Sequence, residues 1–395
     1  MTEHRVPEHR VTEHRVPEHR VPEHQAMEHW DVVIAGGGPA GSAAALRILQ
    51  RDPASKVLIL DRSGFPRDKV CGDGIAGQVF SALAELGIAG TDVPHGYGVV
   101  PRVRLVSPGG RTVERTVAGA GYVIPRLVFD ARLLAAATAR GAVLRQHTVR
   151  KVQQSQGRVV LDGAISCQVL IGADGAESTV RRSVGTRPPR VGSVAVAIRG
   201  YAPELTGLGG AQVISMSEHR WPAYAWSFPV GDGMANVGYG EVLTGAGVSR
   251  STLLDRLHSI LPGLPSFDVR GHRLPLSTDV PPVAAGRVLL VGDALSLINP
   301  LSGEGIYYAV RSGMAAGDAA ASGAGAGALY RSLIAQRLGR HLRHTRALAR
   351  LARLPQLLDA GVDGARRQQG AFDDLVALAL GDGLITSRLL LSLRW

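Results

Sequence analysis

Asp31-Val32-Val33-Ile34-Ala35-Gly36-Gly37-Gly38-Pro39-Ala40-Gly41 is the stretch on which the fold turns. Its first five residues form an apolar, β-branched run of the kind buried in a parallel sheet. Pro39 and Ala40 stand at a helix start, and Ala43-Ala44-Ala45-Leu46 continues it with strong helix formers. Between strand and helix, Gly36, Gly38 and Gly41 fill a G-x-G-x-x-G pattern. The first glycine permits the tight turn, the second lets a pyrophosphate approach the backbone, and the third lets helix pack on strand. The ligand's negative charge would meet the outward N–H groups of the helix N-terminus. Twenty residues past Gly41, the run Val57-Leu58-Ile59-Leu60 ends at Asp61. A carboxylate there accepts from both hydroxyls of an adenosine ribose and repels a 2′-phosphate. Glycine turns alone are common; strand, turn, helix, strand and acid in this order specify a dinucleotide.

A second stretch narrows the ligand. Val288-Leu289-Leu290-Val291-Gly292-Asp293-Ala294 reads as another buried strand ending in an acid. Asn299-Pro300-Leu301-Ser302-Gly303-Glu304-Gly305-Ile306 then leads into a helix ending near residue 320. Together they supply a carboxylate for polyol hydroxyls and a helix dipole worth about 0.3–1 kcal/mol, enough to tune electronics more than binding. A nicotinamide dinucleotide has no use for this second site, whereas a flavin with its ribityl chain does.

The 395 residues leave room for two domains or one large composite. Apolar residues make up 45%, and no run approaches the roughly 18 apolar residues of a spanning helix. The charged N-terminus is not a secretory signal, and the two cysteines, Cys71 and Cys167, build no disulfide framework. Both features point to a reducing cytoplasm. The net charge of +11 suits an anionic membrane surface, an acidic partner protein or simple solubility. No zinc spacing, RNA signature or recognition helix accompanies it, so nucleic acid is not expected.

Residues 2–24 repeat Glu3-His4-Arg5-Val6-Pro7 with little change. Prolines at this spacing forbid a helix interior and isolated valines bury no core, so 1–29 is expected to be a disordered tail. His4, His9, His14, His19, His24 and His29 give it metal affinity without fixed geometry, but a dispensable tail is the simpler reading. Met27 is an alternative start. Past Asp61, Phe65-Pro66-Arg67-Asp68-Lys69-Val70-Cys71-Gly72-Asp73-Gly74 is a charged loop before a helical pattern over 75–86. Gly72 and Gly74 let backbone approach something flat or charged, and Lys69 would stabilise negative charge there. Cys71 is either a thiol at a reactive centre or a small buried hydrophobe, and spacing alone favours the second.

Residues 102–117 read as a hairpin turning at Pro108-Gly109-Gly110, and 122–125 as a short strand. Arg126 opens an amphipathic helix to Arg140 with Leu127, Phe129, Leu133 and Leu134 inward. Arg126 itself either reaches the cofactor or is a solvated first-turn charge. Strands follow at 142–153, 158–162 and 166–171, the last running into Gly172-Ala173-Asp174-Gly175. Asp174 either bonds backbone N–H groups beside a nucleotide or is a β-turn aspartate. From 192 to 241 the chain is strand-rich. Tyr224, Trp226 and Phe228 alternate and so share one face of a strand. In a chain only 5% aromatic, they suggest an apolar wall for a bulky ligand. Residues 321–328 read as an Ala-Gly linker and 329–354 as one helix with Ile334, Leu338 and Leu342 on one side. Arg337, Arg340, Arg343, Arg346, Arg350 and Arg353 crowd the remainder, either as a solvated face or as a surface for anionic lipid. A more apolar helical region covers 375–393 with a break at Gly381-Asp382-Gly383.

Together these stretches resemble the geranylgeranyl reductase family of flavoproteins, within the wider group shaped like p-hydroxybenzoate hydroxylase. The resemblance spans residues 31 to about 320. It rests on Gly36-x-Gly38-x-x-Gly41, Lys69-x-Cys71-Gly72-Asp73, Gly172-Ala173-Asp174-Gly175, and Gly292-Asp293-Ala294 with Gly303-Glu304-Gly305-Ile306. The first, third and fourth mark the wider group and imply FAD. Tyr224-x-Trp226-x-Phe228-Pro229, with Gly238-x-Gly240 after eight intervening residues, is similar to the family's lipid-substrate motif. The resemblance implies that the first glycine turn, Asp61 and Arg62 hold the adenosine half of FAD, and that Gly292 and Asp293 hold the ribityl-phosphate end. It places the backbone of Gly303, Gly305 and Ile306 against the flavin pyrimidine, and Lys69, Gly72, Arg126 and Asp174 about the cofactor. It puts Cys71 beside the flavin and the substrate's double bond, and it gives Tyr224, Trp226, Phe228, Pro229, Gly238 and Gly240 to the substrate.

The expected fold is α/β, with a Rossmann-type FAD-binding domain assembled from 30–98, 122–190 and 271–322. A mixed β-sheet substrate domain comes from 99–121 and 191–270, and a C-terminal helical region covers 323–395. The expected activity is FAD-dependent reduction of carbon–carbon double bonds in a polyprenyl lipid or quinone side chain. No second dinucleotide fingerprint occurs, so NAD(P)H binding transiently or a small redox protein would reduce the flavin, and peripheral membrane contact is the expected setting. A flavin monooxygenase and a non-catalytic flavin- or lipid-binding protein are alternatives that fold alone does not exclude. The Trp-x-Trp-x-Ile-Pro signature of flavin halogenases is absent.

Overall fold

A computed structural model of the chain describes residues 27–393 apart from 118, 120, 156, 218–221 and 246. The strands in chain order are β1 Glu28–Ala35, β2 Val57–Asp61, β3 Gly74–Ile75, β4 Arg102–Val106, β5 Thr112–Thr116, β6 Tyr122–Val123, β7 Val143–Gln146 and β8 Val152–Ser155. They continue as β9 Arg158–Leu161, β10 Ile165–Gly172, β11 Val194–Pro203, β12 Gln212–Met216, β13 Ala223–Gly231 and β14 Met234–Val242. The last three are β15 Arg270–Pro275, β16 Ala284–Ala285 and β17 Val288–Leu290. The helices are α1 Pro39–Arg51, α2 Gly77–Glu85, α3 Arg126–Ala139, α4 Thr179–Ser183, α5 Arg250–Ile260 and α6 Ile306–Ala320. The C-terminal set is α7 Ala326–Arg337, α8 Gly339–Leu351, α9 Pro355–Arg367, α10 Gln369–Leu380 and α11 Ser387–Ser392.

β1 sits inside an eight-stranded sheet ordered β16-β17-β10-β1-β2-β7, with β9 paired to β10 and β8 to β9. Strands β17, β10, β1, β2 and β7 run parallel. Val33, Ile34, Leu58, Ile59, Leu170 and Ile171 are all buried, which is why these strands read as unbroken apolar runs rather than alternating ones. α1 and α6 lie side by side in the same direction, and small residues allow the contact. A Cβ on Gly313 would lie 2.2 Å from the Ala40 carbonyl, and one on Gly317 2.7 Å from Arg47 Cβ. Asp318 then gathers Arg47, Arg51 and Arg337 from α1 and α7.

The second sheet has seven strands in the order β15-β11-β14-β13-β12-β4-β5, antiparallel except where β12 meets β4. Alternation gives it two distinct faces. Ala225, Val237 and Tyr239 pack with Leu253 and Leu257 of α5 on one side. Tyr224, Trp226 and Phe228 point to the other, towards the first sheet and its loops. The C-terminal helices close the β4–β5 edge, where Val103, Leu105 and Val113 pack with Val362, Phe372 and Val376. Asp359 of α9 accepts from Ser107 and from the Gly109 N–H.

Several expectations need correction. Residues 28 and 29 belong to β1, in register with Ile165 and Ser166, while His4 to His24 lie outside the described residues. The second sheet keeps the chain through Pro275 rather than leaving it at 270. Residues 142–153 are two strands, because the Asp162 carboxylate draws the Arg150 and Lys151 N–H groups off the ladder. Leu127 is 43% exposed, since the buried stripe of α3 runs Arg126, Phe129, Asp130, Leu133, Leu134 and Ala137 and misses it. The helix over 329–354 is broken into α7 and α8 at Leu338, and α7 begins inside the expected linker because Ala326 and Gly327 dock on the Gly286 region. α9 stands where the sequence pattern signals no separate helix, and α10 begins at Gln369 rather than 375.

The α1–α6 contact yields a stability prediction. Gly313→Ala forces a methyl into the Ala40 carbonyl and should cost about 1–3 kcal/mol, read as a lower melting temperature. Gly361→Ala, also helical but 3.8 Å from its nearest neighbour, should be neutral or slightly stabilising in the same melts.

Candidate active site

A cavity of about 570 Å³ lies between the two sheets, and the loops after β1, β2, β10 and β17 form its first end. Gly36 has φ +110°, and a Cβ there would sit 2.2 Å from the Ala173 carbonyl, so this turn admits only glycine. Gly36, Gly38, Pro39 and Ala40 line the cavity, whereas Gly41 works by packing, its missing Cβ leaving room for the Gly36 carbonyl. Asp61 is buried on the cavity wall and accepts from the N–H groups of Gly37 and Ser63, with Arg62 beside it. Asp174 accepts from Ser178 and from the N–H groups of Thr179 and Val180, so it caps α4 while its loop lines the cavity.

The middle of the cavity is a set of ion pairs, fully buried at Arg126–Asp130 and half-buried at Lys69–Asp293. Lys69 Nζ donates to Asp293 at 2.9 Å. Burial alone would push Asp293 up, but the Lys69 charge and hydrogen bond hold it below the usual carboxylate range. Gly292 does not line the cavity; its N–H bonds Ser312 at φ +54°. Arg126 is buried at the start of α3 and grips Asp130 through Nε at 2.6 Å and Nη2 at 2.8 Å. Arg67 reaches the same Asp130 at 3.2 Å and also lines the cavity. The α6 N-terminus completes this region with Gly303, Glu304, Gly305 and Ile306 on the cavity wall. Gly303 has φ +73°, and Tyr224 donates to the neighbouring Ser302 carbonyl.

The far end is apolar. Tyr224, Trp226 and Phe228 form a continuous wall with centroid spacings of 6.0 and 6.4 Å, joined by Val103, Val117, Ile214 and Leu380. Gly240 also lines it. Gly238 does not: its missing Cβ makes room for the Trp226 indole, which a methyl would approach to 2.2 Å. Pro229 lies off the cavity at a register shift between β13 and β14. The loop 69–74 packs directly on this wall, with the Cβ position of Gly72 3.3 Å from the Phe228 ring and from Trp226 Nε1. The flat group for which Gly72 and Gly74 make room is therefore this aromatic wall.

One buried amide joins loop to wall. Asn236 of β14 accepts from Trp226 Nε1 at 2.9 Å and donates to the Cys71 carbonyl at 2.9 Å and to Asp73 Oδ2 at 2.8 Å. Asp73, fully buried at φ +61°, also accepts from Tyr201 and the Arg126 N–H. Burial pushes its carboxyl up to about 6 against those donors. Cys71 is half-buried in the cavity wall, and burial pushes its thiol up, with Arg126 pulling the other way. It packs against the core of the first sheet and lines the cavity at once, whereas Cys167 is fully buried in β10. The sequence reading missed Arg67, Asn236, Arg199 and His272, and gave no role to Asp73 or Glu304. Arg199 and His272 sit on cavity-facing positions of β11 and β15, with Arg199 held on Asp68. A polar residue at an inward strand position was the one signal that could have singled out Asn236.

The donor set fits FAD: a glycine turn at a helix N-terminus, an acid at the end of the second strand, and a second acid and helix start across the cavity. Comparison with known proteins agrees. The family model described as FAD binding domain matches residues 29–205. A menaquinone reductase of Mycobacterium tuberculosis is 34% identical over 83% of this chain and 85% of its own length. Digeranylgeranylglycerophospholipid reductase 1 of Methanopyrus kandleri is 34% identical over 74% of this chain and 80% of its own. Among solved structures, a geranylgeranyl bacteriochlorophyll reductase-like protein of Thermoplasma acidophilum superposes with TM-score 0.78 at 24% identity, covering 93% of this chain and 96% of that one. An anhydrotetracycline hydroxylase of Streptomyces rimosus shares the fold at TM-score 0.66 and 23% identity, over 89% and 76%. With FAD as its cofactor, the chain belongs to the geranylgeranyl reductase family of FAD-dependent oxidoreductases.

Proposed function

We propose that this oxidoreductase saturates carbon–carbon double bonds in a polyprenyl chain carried by a quinone or another lipid. The observation that carries the reading is the aromatic wall of Tyr224, Trp226 and Phe228 packed against the Cys71 loop at the apolar end of the cavity. The names of the menaquinone and digeranylgeranylglycerophospholipid reductases support the substrate class. FAD, when bound, supplies hydride chemistry. The chain's own residues do the rest. Gly36, Gly38 and Asp61 would hold the adenosine and pyrophosphate, and Asp293, kept ionised by Lys69, would accept from ribityl hydroxyls. The wall, with Val103, Ile214 and Leu380, would align the chain and exclude water. Cys71, its proton held by burial, would meet the alkene as a neutral thiol rather than a thiolate.

The electron donor, NAD(P)H or a small redox protein, comes from outside. Peripheral contact with an anionic bilayer, the store of such lipids, is supported by exposed Leu351 at the end of the arginine-rich α8, Leu354 just beyond it, and Leu390 and Leu391 on α11. Among the described residues, no helix is long and apolar enough to cross a membrane.

The reading is tested by product mass. Dithionite-reduced protein mixed without oxygen with a menaquinone or geranylgeranyl lipid should add two hydrogens per turnover. Addition of an oxygen atom, and only after air is admitted, would instead identify a monooxygenase. Trp226→Ala should keep FAD binding, followed by flavin fluorescence, yet raise the KM for lipid by about 30-fold, corresponding to the ~2 kcal/mol of a buried aromatic anchor.

A further inference from the structure

Reduction of an isolated alkene needs a proton as well as a hydride, and the cavity's carboxylates narrow its source. Asp68, Glu241 and Asp293 are ion-paired, Asp61 has the Arg67 guanidinium at 4.0 Å, and Asp73 and Asp174 each accept from three donors. Glu177 is exposed. Glu304 is buried on the cavity wall and makes no ion pair with any described residue. Its Oε1 accepts from the Tyr307 N–H at 2.8 Å, which fixes the side chain at the first turn of α6. The preceding residue, Gly303, faces the Tyr224 hydroxyl, to which a Cβ there would come within 2.9 Å. Glu304 thus stands where the helix start expected to face the flavin meets the aromatic wall.

The alternatives hold their protons differently. Tyr224 is pushed well above its ordinary range by burial, with Glu304 and Cys71 adding to it, and its O–H is committed to the Ser302 carbonyl. Burial also raises Cys71. Burial raises Glu304 to about 7, against its backbone hydrogen bonds and the charge of Arg126. The charged and titratable groups that act on it are Arg126 from the start of α3, Tyr224 from β13 and Tyr308 in the first turn of α6, while Asp293 lies 3.6 Å from the Cβ position of the next residue, Gly305. A general acid works best when its proton is exchangeable near the working pH.

Resting on the alkene-reductase reading above, we propose that Glu304 is the general acid of the reaction. Its carboxyl O–H gives the proton to one alkene carbon while the other carbon takes the hydride that reduced FAD supplies. The π bond breaks, two C–H bonds form, and the carboxylate is reprotonated from solvent; an external reductant restores the flavin.

Glu304→Gln tests this, because the amide oxygen still accepts from Tyr307 N–H but the group carries no acidic proton. FAD affinity and KM for lipid should stay within about threefold while kcat falls roughly 100- to 10,000-fold, the span of general-acid catalysis. In the wild type kcat should be full on the acid side and fall as pH rises through about 7, a limb that Glu304→Gln loses. A substrate-free readout separates the two claims. Infrared difference spectra of the oxidised holoprotein across that pH range should show a protonated-carboxyl band that titrates near 7 and is missing in Glu304→Gln, while a second band from Asp73, near 6, persists. A variant that keeps kcat and the limb, or a wild type without the band, overturns the proposal. A wild type that reduces no prenyl lipid but shows the band refutes the substrate reading and leaves Glu304 as the cavity's exchangeable acid.

Discussion

The buried amide of Asn236 is the interaction on which the site depends. It is fully buried, and three hydrogen bonds of 2.8–2.9 Å spend its carbonyl on the Trp226 indole and its NH₂ on the Cys71 carbonyl and Asp73. Those partners belong to different parts of the molecule: a strand of the second sheet, and the loop that follows the second strand of the first. Leaving a buried donor or acceptor unpaired costs about 1–3 kcal/mol, so each partner holds the others in register. Asp73 extends the lock to Tyr201 and to the first N–H of α3, where Arg126 and Asp130 form a buried pair.

Around that lock the cavity changes character along its length. At the nucleotide end, backbone N–H groups and acids at strand ends suit a pyrophosphate and sugars. In the middle, Lys69 on Asp293 and Arg126 on Asp130 keep charges paired where solvent is scarce. At the aromatic end the wall's own polar groups are paired, the Trp226 N–H with Asn236 and the Tyr224 hydroxyl with the Ser302 carbonyl. The C-terminal helices finish this end: Asn299 and Ser302 bond the Leu378 and Ala379 carbonyls, tying α10 and its Leu380 to the loop that precedes α6. The part of the chain with the least legible sequence therefore supplies one wall of the apolar chamber.

Local chemistry made most of the scaffold legible in advance. Continuous apolar runs gave the parallel strands, and glycines at fixed spacing gave the nucleotide turn, because sterics at Gly36 and Gly41 leave no choice. The aromatic alternation in β13 gave the wall. What escaped is non-local. Asn236 and Arg199 look like ordinary strand residues until the sheet brings them to Cys71 and Asp68. Leu127 carries the right hydrophobicity at the wrong angle, and the break at Leu338 has no proline to announce it. Gly238 shows that a motif residue can serve a site by absence, here by leaving room for an indole.

The most direct measurement compares FAD affinity with lipid turnover in Asn236→Ala. The amide lies behind the aromatic wall and the cysteine loop, away from the glycine turn and Asp61. The account predicts FAD binding within about threefold of wild type and lipid turnover down by roughly 5- to 150-fold, the span of about 1–3 kcal/mol of lost pairing. Unchanged turnover would mean that the wall and the loop are positioned without it, and would contradict the account.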